Sequence, residues 1–242
     1  MITIFTIPRP FVGKFDYIQR NAIRSWLRLE PTPEILLFGR ERGVQEAARD
    51  FGGLPVYTTE RSEHGTPLVN KVLWKAQAIA HNDILVMANA DNLYLSDFIP
   101  AILGCARAFP RFLMIGQRWD AEVSGLLEFG QGWEKSIRQR TIGLHAKAAV
   151  DYLVFRDGAW WQDMPGFAVG RSSYDGWMVA KTRAAGVPVV DATGALTVVH
   201  QNHAISPDAE YRENEALYDT ELGRGGVGQA GWELIGSQGT MQ

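Results

Sequence analysis

Residues 84–92 read ILVMANADN, an apolar run that ends abruptly in small and polar residues. The segment Ile84 to Met87 is apolar at every position, which is typical of a central parallel strand covered on both faces. In open α/β sheets, ligands bind outside the carboxyl ends of the strands. The sequence therefore predicts a strand at Ile84 to Met87 and places Asp91 where a ligand would lie.

Strand and helix patterns alternate on both sides of this run. Apolar or β-branched runs predict strands, and apolar residues at helical spacing predict the helices between them. The predicted strands are 2–7, 35–38, 54–58, 84–87 and 112–115, and the predicted helices are 18–29, 44–51, 69–79 and 100–109. This β-α order predicts an α/β protein with a doubly wound, mostly parallel central sheet flanked by helices.

The second half of the chain is more mixed. Residues 121–158 follow no clear period, whereas a helix is predicted at 174–185, short strands at 187–190 and 196–199, and a polar helix at 208–222. Glycines follow at positions 223, 225, 226 and 228. We expect a single domain over 1–205 and an extension over 206–242 that serves as a lid, a partner surface or a flexible tail.

Composition disfavours some classes of function. The 242 residues include 24 basic and 27 acidic side chains, for a formal net charge of -3. This balance lacks the basic footprint of a nucleic-acid-binding protein, so a nucleic-acid partner is disfavoured. The N-terminus has no signal-peptide pattern, and no apolar run reaches the ~18 residues that span a bilayer. We expect a cytoplasmic protein without an integral membrane segment, in which the single cysteine, Cys105, is buried and inert.

Asp91 has two interpretations of about equal weight on spacing alone. A hard divalent cation is commonly held by one or two carboxylates together with substrate phosphates, and Asp91 is placed to supply one. Alternatively, Asp91 and Asn92 form an Asx turn or cap a helix.

The segment 87–92 resembles the DxD motif of GT-A glycosyltransferases, with Asn89 in place of the first aspartate. Several further segments are similar to one group of family-2-like glycosyltransferases. They are EHGTPL at 63–68, GQRWD at 116–120, VDYLVF at 150–155, FAVGR at 167–171, YDGWM at 174–178 and VHQNH at 199–203. The resemblance extends from Ile2 to about His203, and the order of its motifs matches the predicted sheet pattern.

The resemblance implies a Rossmann-like GT-A fold with a nucleotide-binding half at about 1–118 and an acceptor and catalytic half at about 119–205. It implies transfer of a sugar from a nucleotide-diphosphate donor, by default a UDP-sugar, to a hydroxyl acceptor such as a glycan or a lipid-linked glycan. It also implies a divalent metal, Mn²⁺ or Mg²⁺.

For the metal, the resemblance assigns Asp91 as the usual aspartate ligand. It places His200 at the C-terminal histidine that contacts metal or diphosphate in such enzymes, and imidazole can do either. Asn89 departs from the two-aspartate pattern and is left to bind a ribose hydroxyl or to orient a water. His203 is the less suitable ligand, because an i, i+3 pair needs a helical turn that the sequence does not indicate.

Asp175 is the candidate catalytic base, since it matches the acidic residue of the family's xED motif at the start of a predicted helix. An inverting transfer needs one carboxylate to take the proton of the attacking hydroxyl. An aspartate in the first turn of a helix also complements the helix dipole, and the residue type alone leaves that alternative open.

The residues that the resemblance assigns to binding of the nucleotide-sugar donor come from several parts of the chain. They are Thr6, Pro8, Arg9, Glu41, Lys71, Asn89, Ala90, Asp91, Arg118, Asp151 and Gly170. Lys71 and Arg118 are the candidate cations for the diphosphate, although a solvated surface charge is the commoner role for a residue like Lys71. Asp151 is equally suited to cap a turn. The pair Trp160–Trp161, in a predicted loop, is a candidate stacking platform for the acceptor.

Two other functions remain open. Sugar-phosphate nucleotidyltransferases share a similar sheet, but they need a glycine-rich loop after the first strand, where this chain has Pro8-Arg9-Pro10. A catalytically degenerate GT-A domain that binds or scaffolds a nucleotide sugar or a glycan is permitted by Asn89.

Overall fold

A computed structural model describes residues 1–57, 60–148, 150–156, 158–203, 209–218, 225–236 and 240–241. Within these ranges, nine strands form the large sheet. They are β1 (Ile2–Thr6), β2 (Glu34–Phe38), β3 (Leu54–Val56), β4 (Ile84–Ala88), β6 (Leu113–Ile115), β9 (Tyr152–Arg156), β10 (Val189–Asp191), β12 (Trp232–Ile235) and β13 (Thr240–Met241). Their spatial order is β13-β12-β10-β6-β9-β4-β1-β2-β3.

The large sheet is mostly parallel, as predicted. The strands β3, β2, β1 and β4 run parallel to one another, and so do β6, β10 and β12. The strand β9 lies antiparallel between β4 and β6 and joins the two parallel groups. The chain therefore has an α/β architecture in which a single reversed strand links two parallel halves.

Six α-helices flank the sheets in the described ranges: α1 (Lys14–Trp26), α2 (Val44–Phe51), α3 (Val69–Ile79), α4 (Phe98–Ala108), α5 (Trp133–Gln139) and α6 (Tyr174–Ala184). The bounds of α2 match the prediction. Gly43 and Gly52 bound this helix with φ of 87° and 67°, a left-handed conformation that glycine adopts without steric cost. None of the described helices is long and apolar enough to cross a membrane.

Both faces of the large sheet are covered by apolar side chains. On one face, Val86 packs in a cluster with residues of α1 and α4. On the other face, Leu85 and Met87 pack with residues of α3 and α6. This double covering explains why β4 is apolar at every position. Cys105 is buried on α4, as predicted, and burial raises the pKa of its thiol to about 12.

A second, smaller sheet has the order β5-β11-β7-β8. Its strands are β5 (Asn92–Tyr94), β7 (Trp119–Ala121), β8 (Thr141–Leu144) and β11 (Val198–Gln201). The central strand β11 runs antiparallel to β5 and parallel to β7. Because β5 begins four residues after β4 ends, the small sheet lies beside the carboxyl end of β4.

The strand β11 begins two residues later than predicted. Leu196 and Ala195 instead form a turn in which both backbone N–H groups donate to the carbonyl of Ala192, at 3.2 and 2.9 Å. The strand then continues through His200 and Gln201, because these residues pair with β5 and β7.

The C-terminal region contributes to the large sheet. The strand β12 pairs in parallel with β10, and Leu234 is fully buried in the core. Two short 3₁₀ helices, Ala209–Leu217 and Val227–Gln229, lie before it. The predicted helix at 208–222 is thus described as a 3₁₀ helix over part of its length. Its ends, and Gly223, lie outside the described residues.

Candidate metal and catalytic site

Asp91 lies in the connection between β4 and β5. Its carbonyl accepts hydrogen bonds from the backbone N–H of Gln201 at 3.2 Å and from the Gln201 amide at 3.1 Å. The same amide donates to the Ile18 carbonyl on α1 at 2.9 Å. These bonds tie the end of β4 to β11 and to α1, so the position of Asp91 is fixed by three elements.

The Asp91 carboxylate faces two histidines. Its Oδ2 atom lies 2.9 Å from His203 Nε2 and 3.6 Å from His200 Nε2. The ligand atoms of the three residues lie within 4.8 Å of one another. The structure therefore brings together the predicted ligands Asp91 and His200, and it adds His203.

The expectation for His203 differs from the structure. A helical turn is not needed, because β11 ends at Gln201 and the chain then bends so that His203 points back at Asp91. The His203 ring packs edge-on against Phe15, with centroids 5.1 Å apart, and the Arg9 guanidinium lies 5.0 Å from the Phe15 ring. Arg9, which was predicted to bind the nucleotide-sugar donor, is therefore separated from the cluster by the Phe15 ring.

Asp91 and the two histidines influence one another's protonation. Burial alone would raise the pKa of Asp91, but the contacts with His200 and His203 outweigh it and hold that pKa well below its ordinary value. Burial alone would lower the pKa of His200, but the contact with Asp91 outweighs it and raises that pKa. The carboxylate is thus kept ionised, as a metal ligand must be.

The ligand atoms of this cluster fit a divalent cation. Asp91 Oδ1 is buried and has no hydrogen-bond partner among the described residues, an exception in folded proteins that an ion would explain. The cluster offers one carboxylate and two imidazoles, and imidazole suits transition metals better than Mg²⁺, which prefers oxygen. Asp91, His200 and His203 are the residues that would hold such an ion.

A second carboxylate lies behind His200. Asp120 Oδ1 is 3.1 Å from His200 Nδ1, and Asp120 Oδ2 is 3.0 Å from His145 Nδ1. Arg118 Nε also donates to Asp120 Oδ1, at 3.1 Å. Burial alone would raise the pKa of Asp120, but His145 and Arg118 outweigh it and lower that pKa. Sequence reasoning assigned no role to Asp120 or His145, although Asp120 ends the segment 116–120.

Arg118, Asp151 and Asn89 form a buried polar group beside the cluster. Arg118 binds both Asp120 and Asp151, and its guanidinium is almost fully buried. Asn89 donates from Nδ2 to Asp151 Oδ1 at 3.0 Å. Burial raises the pKa of Asp151, Arg118 opposes that rise, and Asp91 adds to it. Arg118 therefore pairs with protein carboxylates rather than presenting a free fork, and Asn89 contacts Asp151.

Asp175 lies in the first turn of α6, as predicted. Burial raises the pKa of its carboxyl group against hydrogen bonds from the backbone N–H groups of Gly176 and Val150. The negative charge of Asp151 adds to this rise. Asp175 therefore belongs to the same group of interacting carboxylates as Asp151 and Asp91.

The remaining predicted donor residues lie at several places. Thr6 ends β1 with a buried hydroxyl that has no partner among the described residues, and Gln19 binds the backbone N–H and carbonyl of Arg9 at 2.7 and 3.0 Å. Ala90 precedes Asp91 in the β4–β5 connection, Pro8 follows β1, and Gly170 has a left-handed φ of 71°.

Glu41 pairs with Arg61 at 3.2 Å, and Lys71 lies 4.0 Å from Glu60. Glu41 and Lys71 therefore make their ion pairs within 41–71 and not with the cluster.

The prediction that Trp160 and Trp161 form an exposed stacking platform is wrong. Both side chains are buried, and both indole N–H groups donate to the Thr182 hydroxyl, at 2.8 and 3.1 Å. Trp161 also packs edge-on against Phe155, with centroids 5.0 Å apart. The pair anchors the 3₁₀ helix Ala159–Trp161 to α6.

No family model matches the sequence, and no curated protein matches it by sequence. Solved structures do match by fold. A mannosyltransferase from Pyrobaculum calidifontis, in complex with GDP-Man and Mn²⁺, has 14% identity and a TM-score of 0.51. The match covers 87% of this chain and 58% of that one, so this chain spans less than two thirds of the mannosyltransferase.

Two further structures show the same likeness. Glucosyl-3-phosphoglycerate synthase from Mycobacterium tuberculosis, in complex with Mn²⁺, UDP and phosphoglyceric acid, has 13% identity and a TM-score of 0.50, over 84% of this chain and 72% of that one. A 4-diphosphocytidyl-2C-methyl-D-erythritol synthase from Anaerococcus prevotii has 8% identity and a TM-score of 0.50, over 87% and 94%. This chain therefore has the Rossmann-like GT-A fold of nucleotide-diphospho-sugar transferases and nucleotidyltransferases.

Proposed function

We propose that this chain is a metal-dependent glycosyltransferase that moves a sugar from a nucleotide-diphosphate donor to a hydroxyl acceptor. The observation that carries the proposal is the Asp91–His200–His203 cluster at the carboxyl end of β4, in which one buried carboxylate oxygen has no partner within the described ranges. In open α/β sheets this edge is where ligands bind. Two of the fold neighbours are sugar-transfer enzymes described with Mn²⁺.

The donor is proposed to lie between this cluster and the ends of β1 and β2. Thr6 ends β1, Pro8 and Arg9 follow it, and Ala90 and Asp91 follow β4. When bound, a divalent cation would neutralise the diphosphate of the donor and so stabilise the leaving group. We propose Mn²⁺ as the ion and a UDP-sugar as the donor.

Asp175 is proposed to accept the proton of the acceptor hydroxyl. The hydroxyl oxygen then forms a bond to the anomeric carbon while the bond from that carbon to the diphosphate oxygen breaks, and the nucleoside diphosphate leaves with the bonding electrons. A raised pKa makes the Asp175 carboxylate a stronger base, which suits this role. A single displacement of this kind inverts the anomeric centre.

Thermal stability with a panel of nucleotides tests the donor and the metal together. A ligand that binds only the native state adds about 2.7 kcal/mol at a hundredfold excess over its Kd. We expect one nucleoside diphosphate to stabilise the protein with Mn²⁺ but not with chelator, and Asp91→Ala to abolish the effect. Asp83→Ala is the matched control, because Asp83 precedes β4 at its opposite end and is mostly exposed.

Stabilisation in Asp91→Ala equal to wild type would contradict the metal site. Stabilisation by a nucleoside triphosphate, with pyrophosphate released from it and a sugar phosphate, would point to nucleotidyl transfer instead. Tight binding of a nucleotide sugar without turnover for any acceptor would indicate a binding or scaffold protein.

Kinetics of Asp175→Asn test the base. General base catalysis contributes about 10²–10⁴-fold, so turnover is expected to fall by that factor while donor affinity is kept. Asp163→Asn is the control, because Asp163 is exposed and pairs with Lys181, which lies on the same helix as Asp175. Retention of configuration in the product, seen by NMR, would rule out Asp175 as an in-line base.

A further inference from the structure

Asp120 holds three donors with one carboxylate. His200 and Arg118 bind its Oδ1 atom, each at 3.1 Å, and His145 binds its Oδ2 atom at 3.0 Å. The carboxylate therefore has little freedom to rotate. Arg118 and His145 hold it in the position from which Oδ1 contacts His200 Nδ1.

The backbone sets this arrangement. His200 on β11 lies directly beside Asp120 on β7 in the parallel register of the small sheet. His145 follows β8, and its backbone N–H donates to the Arg118 carbonyl at 2.8 Å. The meeting of Asp120 with both histidines thus follows from strand pairing.

From this geometry we propose that Asp120 is a positioning residue for the metal site: it accepts the Nδ1–H of His200 and so presents Nε2 of that ring to the ion. The inference rests on the proposed function, since it needs a metal at Asp91. Neutral imidazole carries one N–H, so an acceptor at Nδ1 selects the tautomer with a lone pair on Nε2. In known metal sites, a carboxylate on the far nitrogen of a ligating histidine orients the ring and increases its basicity.

The two histidines on Asp120 have different roles under this proposal. His200 Nε2 points into the cluster, 3.6 Å from Asp91 Oδ2. His145 is half-exposed, and its ring contacts Asp120 at Oδ2. His145 is therefore a support for Asp120, whereas the hydrogen bond that His200 donates to Asp120 bears directly on metal binding.

Mn²⁺ affinity provides a test that does not depend on turnover. Free Mn²⁺ is measured by electron paramagnetic resonance during titration, with and without UDP, for wild type, Asp120→Asn and His145→Ala. Asn at 120 keeps only one acceptor oxygen, and loss of such a carboxylate typically weakens metal binding 10–100-fold. We expect a loss of about that size in Asp120→Asn and a change of at most about threefold in His145→Ala.

The outcomes separate this inference from the proposed function. Wild-type affinity in Asp120→Asn overturns the positioning role alone, and so does an equal loss in His145→Ala, which would indicate general loosening of β7 and β8. Absence of Mn²⁺ binding by wild type, with or without UDP, overturns both. If Asp120→Asn does not fold, Asp120→Glu keeps the charge facing Arg118 while displacing the carboxylate. Wild-type affinity in that variant also overturns the inference.

Discussion

The two sheets of this protein differ in how they are assembled and in what they carry. The large sheet has apolar strands covered on both faces, and its first four strands come from successive strand-helix units. The small sheet joins four short strands drawn from residues 92–201, and it carries Asp120 and His200, with Asp91 at its margin. Local patterns thus build the scaffold, whereas pairing between distant segments assembles the polar site.

The sharpest test of this contrast removes bulk from each sheet. Phe155 on β9 is fully buried and meets Phe5 and Trp161 edge-on, at centroid distances of 6.4 and 5.0 Å. Phe155→Ala is expected to lower the free energy of unfolding by about 3–5 kcal/mol in urea denaturation. Ile142→Ala on β8, where the side chain is 66% exposed, is expected to change it by less than about 0.5 kcal/mol. A comparable loss in both would mean that the small sheet is equally important to the core.

The next test removes the cation that joins the two carboxylates beside the site. Arg118→Met leaves Asp120 and Asp151 without their shared partner, and breaking a buried pair in this way costs about 3–5 kcal/mol. Arg138→Met is the control, because Arg138 is partly exposed in its pair with Asp97 and should cost at most about 1 kcal/mol. Both are measured by chemical denaturation at pH 7. Equal costs would show that burial of Arg118 adds nothing to its pairing.

A smaller effect is expected from restoring the two-aspartate pattern. Asn89→Asp replaces a hydrogen-bond donor 3.0 Å from Asp151 Oδ1 with a second negative charge, which should cost about 1–3 kcal/mol in the metal-free protein. Added Mn²⁺ should recover part of that loss. The exposed pair Asn202 and Glu122 provides the matched change, Asn202→Asp, with an expected cost of at most about 1 kcal/mol. A neutral or stabilising Asn89→Asp without metal would contradict the geometry.

The smallest effect concerns Glu34, at the opposite end of the large sheet from the cluster of Asp91, His200 and His203. Burial alone would raise its pKa, but bonds from the Thr3 hydroxyl at 2.6 Å and the His81 backbone N–H at 2.9 Å outweigh it and lower that pKa. A carboxylate with a lowered folded-state pKa stabilises the protein above its unfolded pKa, and the contribution is lost as pH falls through the folded value. Glu34→Gln should therefore cost about 1 kcal/mol at pH 7, with the difference from wild type shrinking below about pH 4. A pH-independent difference in thermal midpoint would contradict this.

The contrast between the sheets also explains what the sequence could predict. Most strands and helices up to residue 115 follow from apolar periods, and α2 has its predicted bounds. The helix α1, predicted at 18–29, instead spans 14–26, and the short strand β5 was not predicted. The place of Asp91 at a strand end follows from the same local pattern. Local patterns carry no information about the register of β11 against β7, so the contact of Asp120 with His200 was not predictable. The burial of Trp160 and Trp161 depends on Thr182, some twenty residues later, and was mispredicted for the same reason.

The reversed strand β9 has a consequence for biogenesis. It lies between β4 and β6, although β6 is synthesised well before it. The strand β6 therefore cannot join the sheet beside β4 until residues 152–156 have emerged from the ribosome. A nascent chain that ends before Tyr152 exposes the unpaired edges of both β4 and β6, and such edges are sites of aggregation and protease attack. If the protein is divided after residue 150, the N-terminal fragment should therefore need the C-terminal fragment to stay in solution. Co-expression of residues 1–150 and 151–242 would show this as recovery of the first fragment only when the second is present.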